Sequence, residues 1–220
     1  MLLAFEATTR AGSAGLFPAV GEPVGFTVCA EGRAAAELPR VVHELIETHG
    51  RPQALAVATG PGSFTGLRVA AVLARSLAWC EGLRIHPVCT MRAIAAANGL
   101  GEWLVVMPLK RDVTFVAAFA VSEVGITELL PITAHEDSAE SPVSVPGMTV
   151  VGPALEAKPA LIERWFPANA RGSAAACDAR GVAAAAPFVP AQAWDAVTPA
   201  YHMASAPELQ RERERRNGVA

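Results

Sequence analysis

Residues 54–70 read ALAVATGPGSFTGLRVA. The run from Ala54 to Thr59 is short, apolar and bounded by turn-forming residues, which predicts a buried strand, and the periodic residues from Gly66 to Glu81 predict a helix. The glycine loop between them, GPGSFTGLR at 60–68, has the order from which phosphate sites are built. A helix N-terminus offers unpaired N–H groups at the positive end of its dipole, and Ser63 and Thr65 add hydroxyls. The spacing is nevertheless Gly-x-Gly-x-x-x-Gly, one residue off the dinucleotide fingerprint, and no Lys-Ser/Thr follows to make a Walker loop. Two readings stay open. Glu6, Thr8, Gly60, Gly62, Ser63 and Thr65 form a phosphate loop, intact or vestigial, or the glycines only permit a tight turn in which Thr65 caps the helix and Gly66 lets helix and strand approach.

Working outward, Leu2 to Phe5, the turn EATTRAGS and Ala14 to Phe17 read as a β-hairpin, and Val24 to Cys29 extends it to three antiparallel strands. LPRVVHELIETH at 38–49 places Val41, Val42, Leu45 and Ile46 at helical spacing, with Gly50 positioned to stop the helix. LRIHPV at 83–88 predicts a strand, TMRAIAAAN a short helix from Thr90, and the segment from Trp103 to Val121 two strands joined near Lys110 to Asp112. A meander followed by alternating helices and strands argues a mixed α/β sheet. Beyond Val121 the signal weakens, and MTVVGPAL at 148–155 is the clearest strand-to-helix unit. No internal repeat is legible. The expected organisation is a first lobe over 1–102, a smaller second lobe over 103–206 and a charged tail over 207–220.

The chain has 220 residues, 52% hydrophobic and 18% charged. A net charge of -3 provides no general field for a polyanion, so contact with a nucleic acid would be local or supplied by a partner. The four cysteines show no Cys-x-x-Cys pair and read as reduced, buried thiols of a cytoplasmic protein. The longest uncharged apolar run, near Phe115 to Val121, falls far short of the roughly 20 residues of a membrane helix, so no membrane contact is expected.

The helix at 66–81 carries two stripes. Val69, Leu73, Leu77 and Cys80 are expected to face the sheet, and Arg68, Ala71, Val72, Arg75 and Trp79 the other way. Two arginines, a tryptophan and small residues are the types enriched at binding hot spots, whereas a merely solvated face would show Lys and Glu. This strip is the candidate partner-binding surface. The alternative is that Trp79 folds under the second lobe.

Taken together, LLAFEATTRAGSAGLF at the start, Leu38-Pro39, AVATGPGSFTGLRVA at 56–70 and PVCTMRAIA at 87–95 resemble the TsaB family over roughly residues 1–120. The resemblance implies an ASKHA (actin-like, RNase H-like) two-lobe α/β fold. It implies a non-catalytic subunit that pairs with TsaD through its first-lobe helices, here 38–49 and 66–81, offering a platform to TsaE. The expected function is N6-threonylcarbamoylation of adenosine 37 in tRNAs that read codons starting with A. ATP and metal are expected on the partner subunits, tRNA only through the complex, and a homodimer in the partner's absence. The chain departs from the family pattern at Glu6 (usually Asp), at Arg33 (usually His), near Pro108 to Phe115, and at PAYHM (199–203), which contains His202.

Metal chemistry of the sister subunit uses a His-x-x-x-His pair on one helix face. His43, His49, His86, His135 and His202 include no two residues four apart, so each is read as a surface or capping group. No nucleophile elbow is present. Glu6, read alone, is a solvated turn residue or a cap. Two alternatives to the scaffold remain: an ASKHA-type nucleotide-binding enzyme using Glu6, Thr8 and the glycine loop, and a homodimeric regulatory protein.

Overall fold

Leu3 and Phe5 leave the first strand on one side and Ala4 on the other, and this period of two sorts the molecule into layers. The computed structural model describes residues 1–201 except 20, 21 and 111. Strands β1 (Leu2–Glu6), β2 (Ser13–Phe17), β3 (Gly25–Val28), β4 (Ala54–Gly60) and β5 (Ile85–Cys89) form a sheet in the order β3-β2-β1-β4-β5. The first three are antiparallel, and β4 and β5 run parallel to β1 through helical crossovers. Those crossovers are α1 (Ala34–His49) and α2 (Phe64–Glu81). Helix α3 (Thr90–Ala97) leads to a second sheet of β6 (Gly101–Lys110), β7 (Val113–Ser122), β8 (Gly125–Glu136) and β9 (Thr149–Val151), ordered β8-β7-β6-β9.

The second sheet repeats the plan of the first. Three antiparallel strands are followed by one that returns parallel to the first of them, β9 beside β6 as β4 lies beside β1. The repeat that the sequence hides is therefore present in the topology.

Five layers result. Leu3, Phe5, Leu55 and Val57 pack under α1 and α2 on the outer side of the first sheet. Ala4, Ala56 and Ala58 face inward, together with Val105, Met107, Phe115 and Phe119 of the second sheet. Between the sheets lie α3 and α6 (Ala179–Ala185). Leu104, Val106, Val116 and Ala118 face outward again, under α4 (Ala154–Ala157) and α5 (Pro159–Trp165). Alanine on the inner face lets the central helices come close: a methyl on Gly181 of α6 would stand 2.5 Å from the Ala93 carbonyl of α3. Among the described residues no helix is long and apolar enough to cross a membrane.

Several elements differ from the sequence reading. Helix α1 starts at Ala34 rather than Leu38, because three alanines are strong helix formers, and Pro39 lies inside the helix. Helix α2 starts at Phe64, with Ser63 rather than Thr65 as its N-cap: the Ser63 side chain accepts from Gly66 N–H. The face of α2 turned to the sheet is Leu67, Ala70, Ala74 and Ala78, not Val69, Leu73, Leu77 and Cys80. The sheet already presents large side chains there, so small residues opposite them allow the closest packing. Leu73 and Leu77 are half-buried at the margin of the same core, and Cys80 is exposed. Cys29 and Cys177 are buried and Cys89 is half-buried.

Residues 190–201 return to the first lobe as a strap with a turn at 194–196. Gln192 pairs with Ile85, each amide donating to the other's carbonyl at 3.0 and 2.7 Å, and Ala200 N–H donates to Thr59 O at 2.7 Å. Between them Val197 is fully buried in the core under α1 and α2. Its burial contributes about 1.5–3 kcal/mol and the backbone pairs about 0.5–1.5 kcal/mol each. The tail at 207–220 and His202 lie outside the described residues.

Candidate functional site

The glycine loop sits at the C-terminal end of β4, where its backbone meets the β1–β2 turn. Gly60 has φ +129, and a methyl there would lie 2.4 Å from Ala200 O. A methyl on Gly62 would lie 2.8 Å from Thr8 O, and one on Gly66 only 1.8 Å from Ala7 O. The glycines are thus required by chain crossing chain. Three amides of the stretch are engaged as well: Ser63 N–H donates to Thr8 O at 2.8 Å, Gly66 N–H to Ser63 Oγ at 3.3 Å, and Leu67 N–H to Ser63 O at 2.8 Å. As folded, part of the loop is turned toward the protein's own backbone.

Glu6 is not the solvated turn residue that its position suggests; it is 1% exposed. Its Oε2 accepts from Thr8 N–H at 2.8 Å and Thr8 Oγ1–H at 2.7 Å, and its Oε1 accepts from Ser13 Oγ–H at 3.0 Å. Burial pushes this carboxyl above its ordinary range, against the pull of the Thr8 and Ser13 hydrogen bonds, and the nearby Asp178 charge adds to the rise. Ser13 Oγ also accepts from Ala179 N–H at 2.9 Å, so the hairpin is tied through the acid's partner to the start of α6. Asp178 caps that helix through Arg180 and Gly181 N–H, and Arg180 stacks over Phe26 of β3 at 4.5 Å. Cys177 is buried beside this cluster, and desolvation, with the Glu6 and Asp178 charges, holds its thiol well above the usual value. The group is a polar clasp between the lobes, with its acid oxygens directed inward. Of the six phosphate-loop candidates, Thr8 links Glu6 to Gly62 and Ser63, Gly60 lies against Ala200, and Thr65 is exposed within α2.

The second candidate surface is the outward side of α2. Val72 is 61% exposed, Trp79 is 67% exposed, and Arg68 is exposed beside them. Trp79 therefore does not fold under the second lobe. Ala71 departs from the expectation: it is 3% exposed and lies at the rim of the sheet-facing arc rather than on the open strip. Arg75 is half-buried, its guanidinium 5.8 Å from the centre of the Trp194 ring on the strap. At the start of the helix, Tyr201 packs its ring 4.8 Å from Phe64 and accepts from Arg68 Nε at 3.2 Å, while Arg68 lies over Phe64 at 4.1 Å. Exposed cation–π contacts of this kind contribute about 0.5–1 kcal/mol.

Phe64, Trp194 and Tyr201 were not singled out in the sequence. Phe64 was legible as a loop aromatic one helical turn before Arg68. Trp194 and Tyr201 were not, because nothing local in PAQAWDAVTPAY indicates that the segment crosses back to α2.

A family described as TsaD, tRNA N6-adenosine threonylcarbamoyltransferase, matches residues 31–109. The chain is 33% identical over 100 residues to the tRNA threonylcarbamoyladenosine biosynthesis protein TsaB of Haemophilus influenzae, a match that covers 44% of this chain and 42% of that relative. Among solved structures, an uncharacterised Pseudomonas aeruginosa protein with similarity to peptidase YeaZ superposes with a TM-score of 0.77 at 18% identity, covering 92% of this chain and 99% of that one. YeaZ from Pseudomonas aeruginosa gives 0.75 at 19% identity, covering 90% and 99%. Over part of its length the chain is similar in sequence to a TsaB protein, of which the match spans less than half, and over most of its length it shares the fold of the two Pseudomonas aeruginosa structures.

Proposed function

We propose that the chain is a non-catalytic scaffold subunit that acts with TsaD and TsaE in the N6-threonylcarbamoylation of adenosine 37 in tRNAs reading codons that start with A. The likeness to TsaB supports a place in that modification pathway. The observation that carries the scaffold role is the outward strip of α2, where Arg68, Val72 and Trp79 stand open on a rigid helix. A hydrophobic surface with arginine and tryptophan is what a protein partner would desolvate.

In this reading the strip docks onto TsaD, with α1 alongside, and a homodimer formed in the partner's absence would use the same face. ATP and metal are held by the partner subunits, and tRNA is reached only through the complex, in keeping with the chain's net charge of -3. The expected location is the cytoplasm. Support for the non-catalytic assignment comes from the inward-facing Glu6, whose oxygens accept from Thr8 and Ser13, and from the loop, where Ser63, Gly66 and Leu67 N–H are engaged within the chain. Reconstitution tests the proposal. Modification of a substrate tRNA by TsaD and TsaE from the same genome should depend on this chain, and full-rate modification without it would remove the role.

A further inference from the structure

We propose that the docking face of α2 is composite, with the strap at 190–201 as one of its walls and Trp194 and Tyr201 as contact residues for the partner. The inference rests on the scaffold reading above and extends it to a segment that lies outside α2. It starts from the arrangement around the helix axis. At about 100° per residue, Phe64, Arg68, Ala71 and Arg75 fall within about 60° of one another, and Val72 and Trp79 lie some 20–40° further round. Trp194 meets Arg75, and Tyr201 meets Phe64 and Arg68, all on the first flank. The strap therefore runs beside the open strip without covering it, since Val72 and Trp79 keep exposures of 61% and 67%.

The anchoring makes the strap a wall and not a lid. Val197 is wholly buried in the core, Gln192 is laddered to Ile85, and Ala200 is bonded to Thr59, so lifting the strap would open the first lobe itself. What the strap adds to the strip is two half-exposed rings, Trp194 at 39% and Tyr201 at 43%, next to Phe64 at 40%. Charge identifies the partner's chemistry. Among the described residues, neither Arg68 nor Arg75 lies within ion-pair distance of a carboxylate, and Asp195, the strap's own acid, is exposed and pairs with neither. The fitting occupant is a protein surface that brings carboxylates to the two guanidinium groups and an apolar area to Trp79, Val72 and the strap rings; in the scaffold reading this is TsaD.

Titration calorimetry with TsaD from the same genome tests the inference with three forms of the full chain: wild type, Val72→Glu/Trp79→Ala and Trp194→Ala/Tyr201→Ala. Both double variants should weaken binding by roughly tenfold or more while retaining a wild-type far-ultraviolet dichroism spectrum. Strap variants that bind within about threefold of wild type, or more tightly, overturn the composite face and leave the scaffold reading intact. A wild type that does not bind removes the scaffold reading and this inference with it. Should the strap variant fail to fold, hydrogen exchange on the wild-type chain decides: amides of 192–201 should gain protection when TsaD is added, and unchanged protection overturns the proposal.

Discussion

Glu6 couples the stability of the fold to pH, because burial makes its charged form unfavourable in the native state. Its folded value lies above its unfolded value, so the native chain binds this proton more tightly than the unfolded one does. The associated stability is fully present below the unfolded value of about 4.3 and is lost as pH rises through the folded value. Urea titrations of wild type and Glu6→Gln at several values between pH 4 and 8 should show wild type losing ground to the variant as pH increases; parallel curves would contradict the account. Glu6→Ala leaves Thr8 N–H and two hydroxyls without their acceptor and should cost about 1–3 kcal/mol at pH 7. Gly66→Ala should cost at least about 1–3 kcal/mol, since its methyl meets the Ala7 carbonyl at 1.8 Å, whereas Gly125→Ala meets open space and should stay within about 0.5 kcal/mol of wild type. At this scale the sequence located the loop correctly but could not show what filled it. The atoms in question belong to Ala7, Thr8 and Ala200, two far before and one far after the loop in the chain.

At the scale of the element, α2 shows where hydrophobicity misleads. Leu73 and Leu77 are the oilier residues, yet Ala70, Ala74 and Ala78 face the sheet, because Leu3, Phe5, Leu55 and Val57 already occupy the space between helix and strands. Ala74→Leu should therefore destabilise by about 1–3 kcal/mol through overpacking, and more than Leu77→Ala, which trims a half-buried margin. Thermal melts of the two variants give the order; the reverse order would restore the stripe read from sequence. Strand β8 escaped the sequence reading for another reason. It is an edge strand with Pro131 inside it and register shifts against β7, so the alternation that marks a half-buried strand is broken. Helix α6 is only seven residues long, although Asp178 before it was a legible capping signal.

Among the described residues, two sheets that share the order of their first four strands pack around two central helices, and the last described segment crosses back to α2. Local pattern carried the first lobe, where strands, loop and helices follow one another along the chain. It did not carry the strap, whose position depends on contacts more than 100 residues apart, such as Arg68 with Tyr201. The proposed docking face inherits the same division, since α2 was legible and its wall was not. The central claim is that this face activates a partner and performs no chemistry itself. Its most direct test is the initial rate of tRNA threonylcarbamoylation by TsaD and TsaE from the same genome, with wild-type chain or Val72→Glu/Trp79→Ala titrated in. The account predicts a rate that rises with wild type to saturation near one chain per TsaD and stays at background with the variant. Equal stimulation by both, or full activity with neither, would contradict it.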